Sequence, residues 1–331
     1  MPVSIQPATP DDVEVLTGLL LSDAAARQSA DPVLWKIDAD AAEKIETALR
    51  SAIEATAPPF RQQWLVAEAD GAAVGVVHTI LLPVPPIYAG EQGAPGLIME
   101  DSHVAPDAPD GTAAALLAAA EEDLIGAGAE ILLISSATGG AWEAVVADHA
   151  YDPLTLYLAK SGLARAESHA SVRKARTDDL PGIVTLSAEH RQILFDLNTF
   201  WKPHAEADTR FGNWMGKSLT LTDRDMFVSG RGGGLTGYAI SQPATPLHFP
   251  PAHDIGATGV IDDFYHVATR DPARDGPGLD EARALLGAAE GALADRQNDA
   301  VIVVCPAAWT SKRRLLEDAG YATAITWYIK R

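Results

Sequence analysis

The fold is decided by residues 259–267, GVIDDFYHV, because they repeat residues 96–104, GLIMEDSHV. The two segments share four identities in nine aligned positions, and each is followed by a loop and an Ala/Leu-rich helical segment. Such a match between the two halves indicates an internal duplication, which has to be recognised before other features are interpreted. We therefore expect two copies of one domain.

Further matches follow in the same order along both halves. Residues 5–13, IQPATPDDV, match residues 172–180, VRKARTDDL, at an offset of 167, and a Trp-Lys pair occurs at positions 35–36 and 201–202. Short apolar runs are typical of buried strands, and apolar residues at helical spacing indicate helices with one buried face. The order β-α-α-β-β-β-α-β-α-β is predicted twice.

The repeat divides the chain into an N-terminal domain, a linker and a C-terminal domain, at residues 1–160, 161–169 and 170–331. A length of 331 residues suits two domains, since a domain usually holds about 100 to 200 residues. The linker is predicted because its small and charged residues show no apolar period.

The composition indicates a soluble globular protein. The apolar share is 47%, and no uncharged apolar stretch reaches the roughly 18 residues that cross a membrane. The first residues lack the features of a signal peptide, so we expect a cytoplasmic protein. A net charge of −20 would repel nucleic acid and anionic membranes but tolerate a small cationic substrate. The single cysteine, Cys305, predicts neither an internal disulfide nor a structural metal.

These segments, in this order, resemble the GNAT superfamily of N-acetyltransferases. The most recognisable piece is residues 315–321, LLEDAGY, which are similar to the family's helix-to-strand turn LYEKLGF. The resemblance implies an α/β fold of two tandem GNAT-like domains, each with a mixed, mostly antiparallel central sheet flanked by helices. It also implies an enzyme that transfers an acetyl group from acetyl-CoA to a primary amine of a small molecule, by direct attack in a ternary complex in the C-terminal domain.

A degenerate GNAT-fold protein that binds acyl-CoA or another ligand without catalysis is the alternative. The family's general-acid tyrosine is replaced by Val146 in the first copy and by Leu316 in the second. Tyr265, Tyr328 or water would then have to protonate the leaving thiolate. A dinucleotide-dependent oxidoreductase is excluded, because no Gly-x-Gly-x-x-Gly opens a helix after the first strand. The oligomeric state is left open.

In the resembled family, N–H groups at a helix start hold the coenzyme A pyrophosphate, within the pattern Arg/Gln-x-x-Gly-x-Gly/Ala. A helix N-terminus offers unpaired donors, and glycine lets the phosphate approach the backbone. In the first copy Gly111, Thr112 and Ala113 fit this pattern, and the resemblance adds Val104. Ala108 stands where Arg or Gln is expected, which weakens the match.

The second copy supplies a cation and two glycines, Arg274, Gly276 and Gly278, in a loop about six residues longer. Alignment of the following helix places Ala282 at the second glycine position, and the resemblance adds Val267. The alternative for both copies is plain turn chemistry before a helix.

Two acids on the fourth strand are the catalytic candidates. The resemblance implies Asp263 as the anchor of the substrate amine or as a water-mediated base, with Glu100 as its counterpart in the first copy. Strand alternation places Tyr265 on the face of Asp263 and Asp262 on the opposite face. The alternative is that these acids pair with a neighbouring Arg or Lys.

Overall fold

The computed structural model describes residues 3–56, 58–85, 87–140, 142–164, 169–246 and 248–331. Both halves contain the predicted order of elements. The first half forms β1 (Ser4–Pro7), α1 (Val13–Ala30), α2 (Ala41–Ile53), β2 (Arg61–Ala69), β3 (Ala72–Leu81), β4 (Pro95–Ile98), β5 (His103–Val104), α3 (Thr112–Gly126), β6 (Ile131–Ala137), α4 (Trp142–Asp148) and β7 (Asp152–Ser161). The second half forms β8 (Val172–Lys174), α5 (Leu180–Leu197), α6 (Ala207–Ser218), β9 (Asp225–Arg231), β10 (Gly234–Pro243), β11 (Thr258–His266), α7 (Leu279–Asp295), β12 (Ala300–Pro306), α8 (Thr310–Asp318) and β13 (Ala322–Lys330).

The strands of both halves join one 13-stranded sheet. Its order is β1-β2-β3-β4-β6-β13-β7-β12-β11-β10-β9-β8, and β5 pairs with β3 beside β4. The pairs are antiparallel except β4 with β6 and β11 with β12. The predicted fold class is confirmed. The fourth strand of the first half is interrupted, so that it forms the two short strands β4 and β5.

The two halves exchange their last strands at the centre of the sheet. Strand β7 ends the first half but pairs with β12 of the second half, whereas β13 ends the second half and pairs with β6 of the first. The two exchanged strands also pair with each other. Because backbone hydrogen bonds run across every strand pair from β6 to β12, neither half has a complete sheet of its own.

Helices cover both faces of the sheet, and alternate residues of each strand reach different layers. On β2, Trp64 and Val66 pack under α1 and α2, while Leu65 and Ala67 pack under α3 and α4. This alternation is what a strand with two covered faces requires. No helix within the described ranges is long and apolar enough to cross a membrane.

The repeated Trp-Lys pair makes equivalent contacts between the two halves. Trp35 lies in the α1–α2 connection, and its ring meets that of Phe249 edge-on at a centroid distance of 5.2 Å. Lys36 Nζ lies 2.8 Å from a carboxylate oxygen of Asp254. Phe249 and Asp254 both belong to the β10–β11 connection of the second half.

The second Trp-Lys pair repeats this contact in the opposite direction. The Trp201 ring lies 5.0 Å from the Tyr88 ring, and Lys202 Nζ lies 2.6 Å from a carboxylate oxygen of Glu91. Each half therefore places its connection between the third and fourth strands over the helix connection of the other. This reciprocal contact explains why both copies contain the same two residues.

The predicted linker begins where β7 ends, at Ser161, and the Gly162 N–H donates to the Asp299 carbonyl oxygen. Residues 165–168 of the linker lie outside the described residues. The boundaries of residues 1–160 and 170–331 remain a prediction.

Candidate active site

An irregular register between β10 and β11 creates the site in the second half. Ile240 pairs with Asp263 and Ser241 pairs with Ile261, so that Asp262 is an extra residue on β11. A bulge of this kind bends the strand and changes the direction of its side chains. Asp262 and Asp263 consequently line the same cavity. The predicted placement of these two aspartates on opposite faces is wrong, because regular alternation ends at the bulge.

Strands β11 and β12 diverge at the same level. Their parallel pairing covers Thr258–Ile261 and Ala300–Val303 and stops at the bulge. A cavity of about 730 Å³ lies over this gap and is lined by both halves. The lining residues of the second half are Ser187, His190, Arg191, Leu194, Trp201, Arg210, Phe211, Trp214, Thr245, His248, Asp262, Asp263, Val304, Pro306 and Lys312, and those of the first half are Pro85, Ile87, Tyr88, Thr155 and Tyr157.

Asp263 and His190 form a hydrogen-bonded dyad on the cavity wall. The Asp263 carboxylate accepts a bond of 2.7 Å from the Tyr238 hydroxyl and one of 3.2 Å from His190 Nδ1. Burial acts to raise the pKa of Asp263, but these hydrogen bonds and nearby positive charge outweigh it and lower the pKa. Burial, followed by the charge of Lys312, lowers the pKa of His190. The dyad therefore consists of an anionic carboxylate and a neutral imidazole that donates through Nδ1.

Asp262 and Lys312 place two further ionisable groups at the floor of the cavity. Asp262 is exposed at the cavity surface, and partial desolvation by the surrounding protein, followed by the charge of Asp263, raises its pKa to about 6. The Lys312 side chain is 1% exposed, and its Nζ lies over the rings of Phe264 and Trp309, at 5.7 and 5.4 Å. Burial lowers the pKa of Lys312, although Cys305 and both aspartates act in the opposite direction.

The titration of Asp262 gives a stability test that needs no ligand. Because the folded pKa of about 6 lies above the ordinary value of 3.8, the native state binds more protons between these values. The free energy of unfolding should therefore fall, relative to Asp262→Asn, as the pH rises from about 4 to about 6. Urea unfolding of both proteins across this range measures the difference. A difference that does not change with pH would show that Asp262 titrates normally.

Tyr265 lies beside the dyad but not at the cavity surface. Its ring stacks on that of His190, at a centroid distance of 5.3 Å and an angle of 15°. Asp263 and Tyr265, which were predicted to lie on one face of the strand, therefore both contact the His190 imidazole. The side chain is fully buried, and its hydroxyl lies near the Glu189 carboxylate and Arg270. Burial, followed by Glu189, raises the pKa of the hydroxyl.

Glu100, the counterpart predicted in the first half, is 5% exposed. Burial, followed by the charge of Asp101, raises its pKa. A cavity beside the neighbouring residue Asp101 has a volume of only about 10 Å³ and is lined in part by Pro250, Pro251 and His253 of the second half. The first half therefore has no room for a small-molecule substrate at this cavity.

A cluster of polar groups lies between α1 and the fourth strand of the first half. Asp23 on α1 lies 3.3 Å from His103 Nδ1, and Arg27 lies 2.7 Å from the same carboxylate. Arg27 also donates to the Glu100 carbonyl oxygen. Asp23 is therefore ion-paired, whereas Glu100, the acid predicted in the first half, forms no salt bridge among the described residues, and its Oε2 has no hydrogen-bond partner there.

No family model and no curated protein match the chain. Solved structures do match: a GCN5-related N-acetyltransferase from Sphaerobacter thermophilus gives a TM-score of 0.57 at 17% identity, covering 99% of this chain and 95% of that one. The chain has the GNAT fold. A glucosamine N-acetyltransferase region of a fungal multi-domain β-N-acetylglucosaminidase gives 0.54 at 14% identity, covering 99% of this chain and 38% of that one. A tandem GNAT protein from the clavulanic acid pathway, solved without acetyl-CoA, gives 0.49 at 14% identity, covering 99% and 98%.

A backbone hydrogen bond holds the predicted coenzyme loop of the second copy in place. The Gly276 N–H donates to the Ala268 carbonyl at 2.7 Å, and Gly278 is the left-handed residue, with φ of 94°, that precedes α7. Arg274 is exposed, Val267 is half-buried, and Ala282 is fully buried in the core. Ala282 therefore packs against protein and presents no surface to a ligand.

The first turn of α7 contains acidic residues that would repel a bound phosphate, whereas the first turn of α3 contains none. Asp280 and Glu281 lie in the first turn of α7, and the Glu281 carboxylate accepts a bond of 2.9 Å from Thr236. The first turn of α3 contains no acid and begins after Gly111, a left-handed residue with φ of 84°. Since an acid at a helix N-terminus competes with a bound anion, α3 offers phosphate the better donor set.

The predicted residues of the first copy lie around this helix start. Thr112 and Ala113 form the first turn of α3, and Thr112 is buried, with its hydroxyl bonded to the Pro109 carbonyl. Val104 ends β5 and lies half-buried against the core. A Cβ added at Gly111 would meet no atom within 4 Å, because this position is exposed.

Both copies place a tryptophan at the start of their last helix. The Trp142 indole donates to the Ser102 carbonyl at 2.9 Å, and the Trp309 indole donates to the Thr269 carbonyl at 2.7 Å. Each bond links the last helix to the chain that continues the fourth strand. Trp309 thereby fixes the segment that leads from β11 into the predicted coenzyme loop.

Sequence reasoning missed several residues of the cavity. His190 and Tyr238 hold Asp263, Lys312 lies at the floor, and Tyr88 comes from the other copy. One sequence signal near them was the repeated Trp-Lys pair, because Tyr88 contacts the second of the two pairs.

Proposed function

We propose that the chain is an N-acetyltransferase that transfers an acetyl group from acetyl-CoA to a primary amine of a small molecule bound in the second-half cavity. The observation that carries this proposal is the His190–Asp263 dyad on the wall of a cavity of about 730 Å³. The GNAT fold supports the same chemistry, because the solved structures that share it are N-acetyltransferases by name.

The charges at the floor of the cavity suit an amine acceptor. Asp262 and Asp263 attract an ammonium group, but only the neutral amine attacks a thioester carbonyl. A neutral imidazole of lowered pKa accepts the proton, and the Asp263 carboxylate fixes its tautomer and orientation. His190 is therefore the general base of this scheme, and Asp263 anchors both the base and the substrate.

The leaving thiolate requires a proton when the C–S bond breaks. We assign this proton to Lys312, which lines the cavity one helical turn before Leu316, where the resembled family has its tyrosine. A lowered pKa makes the ammonium a better acid. Tyr265 and Tyr328, which the sequence offered for this step, are not among the described residues that line the cavity.

A second function, binding of the amine without transfer, is favoured by the carboxylates at the start of α7. Asp280 and Glu281 lie where the pyrophosphate of the coenzyme would meet the second copy. If acetyl-CoA cannot bind at the start of α7, the second-half cavity binds an amine without transferring an acetyl group to it. The start of α3 is then the one of the two predicted coenzyme sites that is left.

Titration of acetyl-CoA into the protein by calorimetry separates these possibilities. If the coenzyme binds at the second copy, as transfer in the second-half cavity requires, we expect one site that Gly276→Asp weakens at least about tenfold more than Gly276→Asn does. Both variants add a Cβ about 3.0 Å from the Ala268 carbonyl oxygen, but only the carboxylate repels the phosphates. The pair Gly111→Asp and Gly111→Asn tests the first copy in the same way. Gly111 has a left-handed φ, which aspartate and asparagine tolerate better than other non-glycine residues do.

The outcomes separate the copies and the functions. Loss of binding with Gly111→Asp alone would move the coenzyme to the first copy. Absence of binding in the parent protein would contradict acetyl transfer altogether. Binding without acetylation of any amine in a broad panel would support the receptor function.

A further inference from the structure

The first half supplies one wall of the second-half cavity. Its connection between β3 and β4 is clamped to the second half by two backbone bonds: the Ala89 N–H donates to the Lys202 carbonyl at 2.8 Å, and the His204 N–H donates to the Ile87 carbonyl at 2.9 Å. Tyr88 lies between these bonds, with its ring 5.0 Å from that of Trp201. The exchanged strand β7 adds Tyr157 to the same wall.

The wall is aromatic, whereas the carboxylates that line the cavity lie at its floor. Tyr88 and Tyr157 from the first half face a lining that includes Trp201, Phe211 and Trp214 from the second. A ligand whose ammonium reaches the floor therefore places the rest of its body among rings. Since aromatic rings associate with other rings more favourably than with polar chains, the body should be apolar and contain a ring.

The arginines of the cavity already have hydrogen-bond partners within the protein. Arg191 donates 2.5 Å bonds to the Ser187 hydroxyl and the Asp208 carboxylate, and Arg210 donates to Glu206 at 2.7 Å. The remaining lysine of the lining, Lys312, shares the floor with both aspartates. A carboxylate on the ligand would meet two like charges there, so a zwitterionic amino acid fits worse than a simple amine.

The volume is consistent with such a ligand. Small-molecule sites usually measure about 300 to 1,000 Å³, and about 730 Å³ is larger than a short polar amine would fill. A short amine would leave the rings in contact with water.

We propose that the acceptor is an arylalkylamine without a carboxylate, and that Tyr88 and Tyr157 of the first half determine this specificity. The inference rests on the cavity of the proposed function. It gives the first half a part in the activity of the second.

The test is calorimetric titration of 2-phenylethylamine, ethanolamine and phenylalanine into the full chain without acetyl-CoA. We expect 2-phenylethylamine to bind at least tenfold more tightly than either of the others. Tyr88→Ala should weaken its binding at least tenfold, whereas Tyr88→Phe, which keeps the ring, should change it less than threefold. Neither variant should alter the midpoint of thermal unfolding by more than a few degrees.

Equal affinity for ethanolamine, or unchanged binding in Tyr88→Ala, would contradict the role of the aromatic wall in specificity. Tighter binding of phenylalanine than of 2-phenylethylamine would contradict the exclusion of a ligand carboxylate. Acetylation of some other amine with no binding of 2-phenylethylamine would overturn this inference and leave the proposed function standing. Binding as expected without acetylation would support the inference and contradict the proposed function.

Discussion

Removal of the last strand, residues 322–331, is expected to unfold the first half of the protein as well as the second. Strand β13 pairs with β6 on one side and with β7 on the other, and its Ile325 and Ile329 are buried. Loss of each such side chain costs about 2–5 kcal/mol, so loss of the strand removes most of a typical stability of about 5–15 kcal/mol. Hydrogen exchange of the amides of β6 and α3 measures the effect in the first half.

Deletion of Arg331 alone is the matched control for this truncation. Arg331 is exposed and follows the end of β13, so its removal should leave exchange in β6 and α3 unchanged. If the longer truncation kept these amides protected while the second half unfolded, the first half would be stable without the exchanged strand. The two halves would then be independent folding units.

The fold was predictable because each element carries its own signal and the order occurs twice. Apolar runs such as residues 131–134 and 301–304 indicate buried strands, and both form them. The exchange of the last strands was not predictable. Strands β7 and β13 occupy equivalent places in the repeat, so the side chains of either suit both positions, and only the three-dimensional path of the chain distinguishes them.

The candidate site was less accessible to sequence reasoning than the fold. Asp263 was identified because it lies on the fourth strand of a resembled family. Its partner His190 is 73 residues away, and no spacing rule connects positions so far apart. The face of Asp262 was predicted wrongly because a bulge depends on the register with β10, which the sequence of β11 does not contain.

Replacement of the imidazole in His190→Gln is expected to lower kcat for acetylation by about 10²- to 10⁴-fold, the usual effect of losing a general base. Glutamine can still donate a hydrogen bond to Asp263, so the fold and the carboxylate position are retained, but it cannot take a proton from the amine. The KM for acetyl-CoA should change little. Steady-state rates with a saturating amine measure the loss.

His248 provides the control, since it is the other histidine that lines the cavity. Its Nδ1 accepts a bond of 3.0 Å from the Thr245 N–H, and it is outside the dyad, so His248→Gln should reduce kcat by less than about threefold. Equal losses in both variants would indicate damage to the cavity rather than loss of a base. Full activity of His190→Gln would assign the proton to water held by Asp262 or Asp263, and the dyad would then only position the carboxylate.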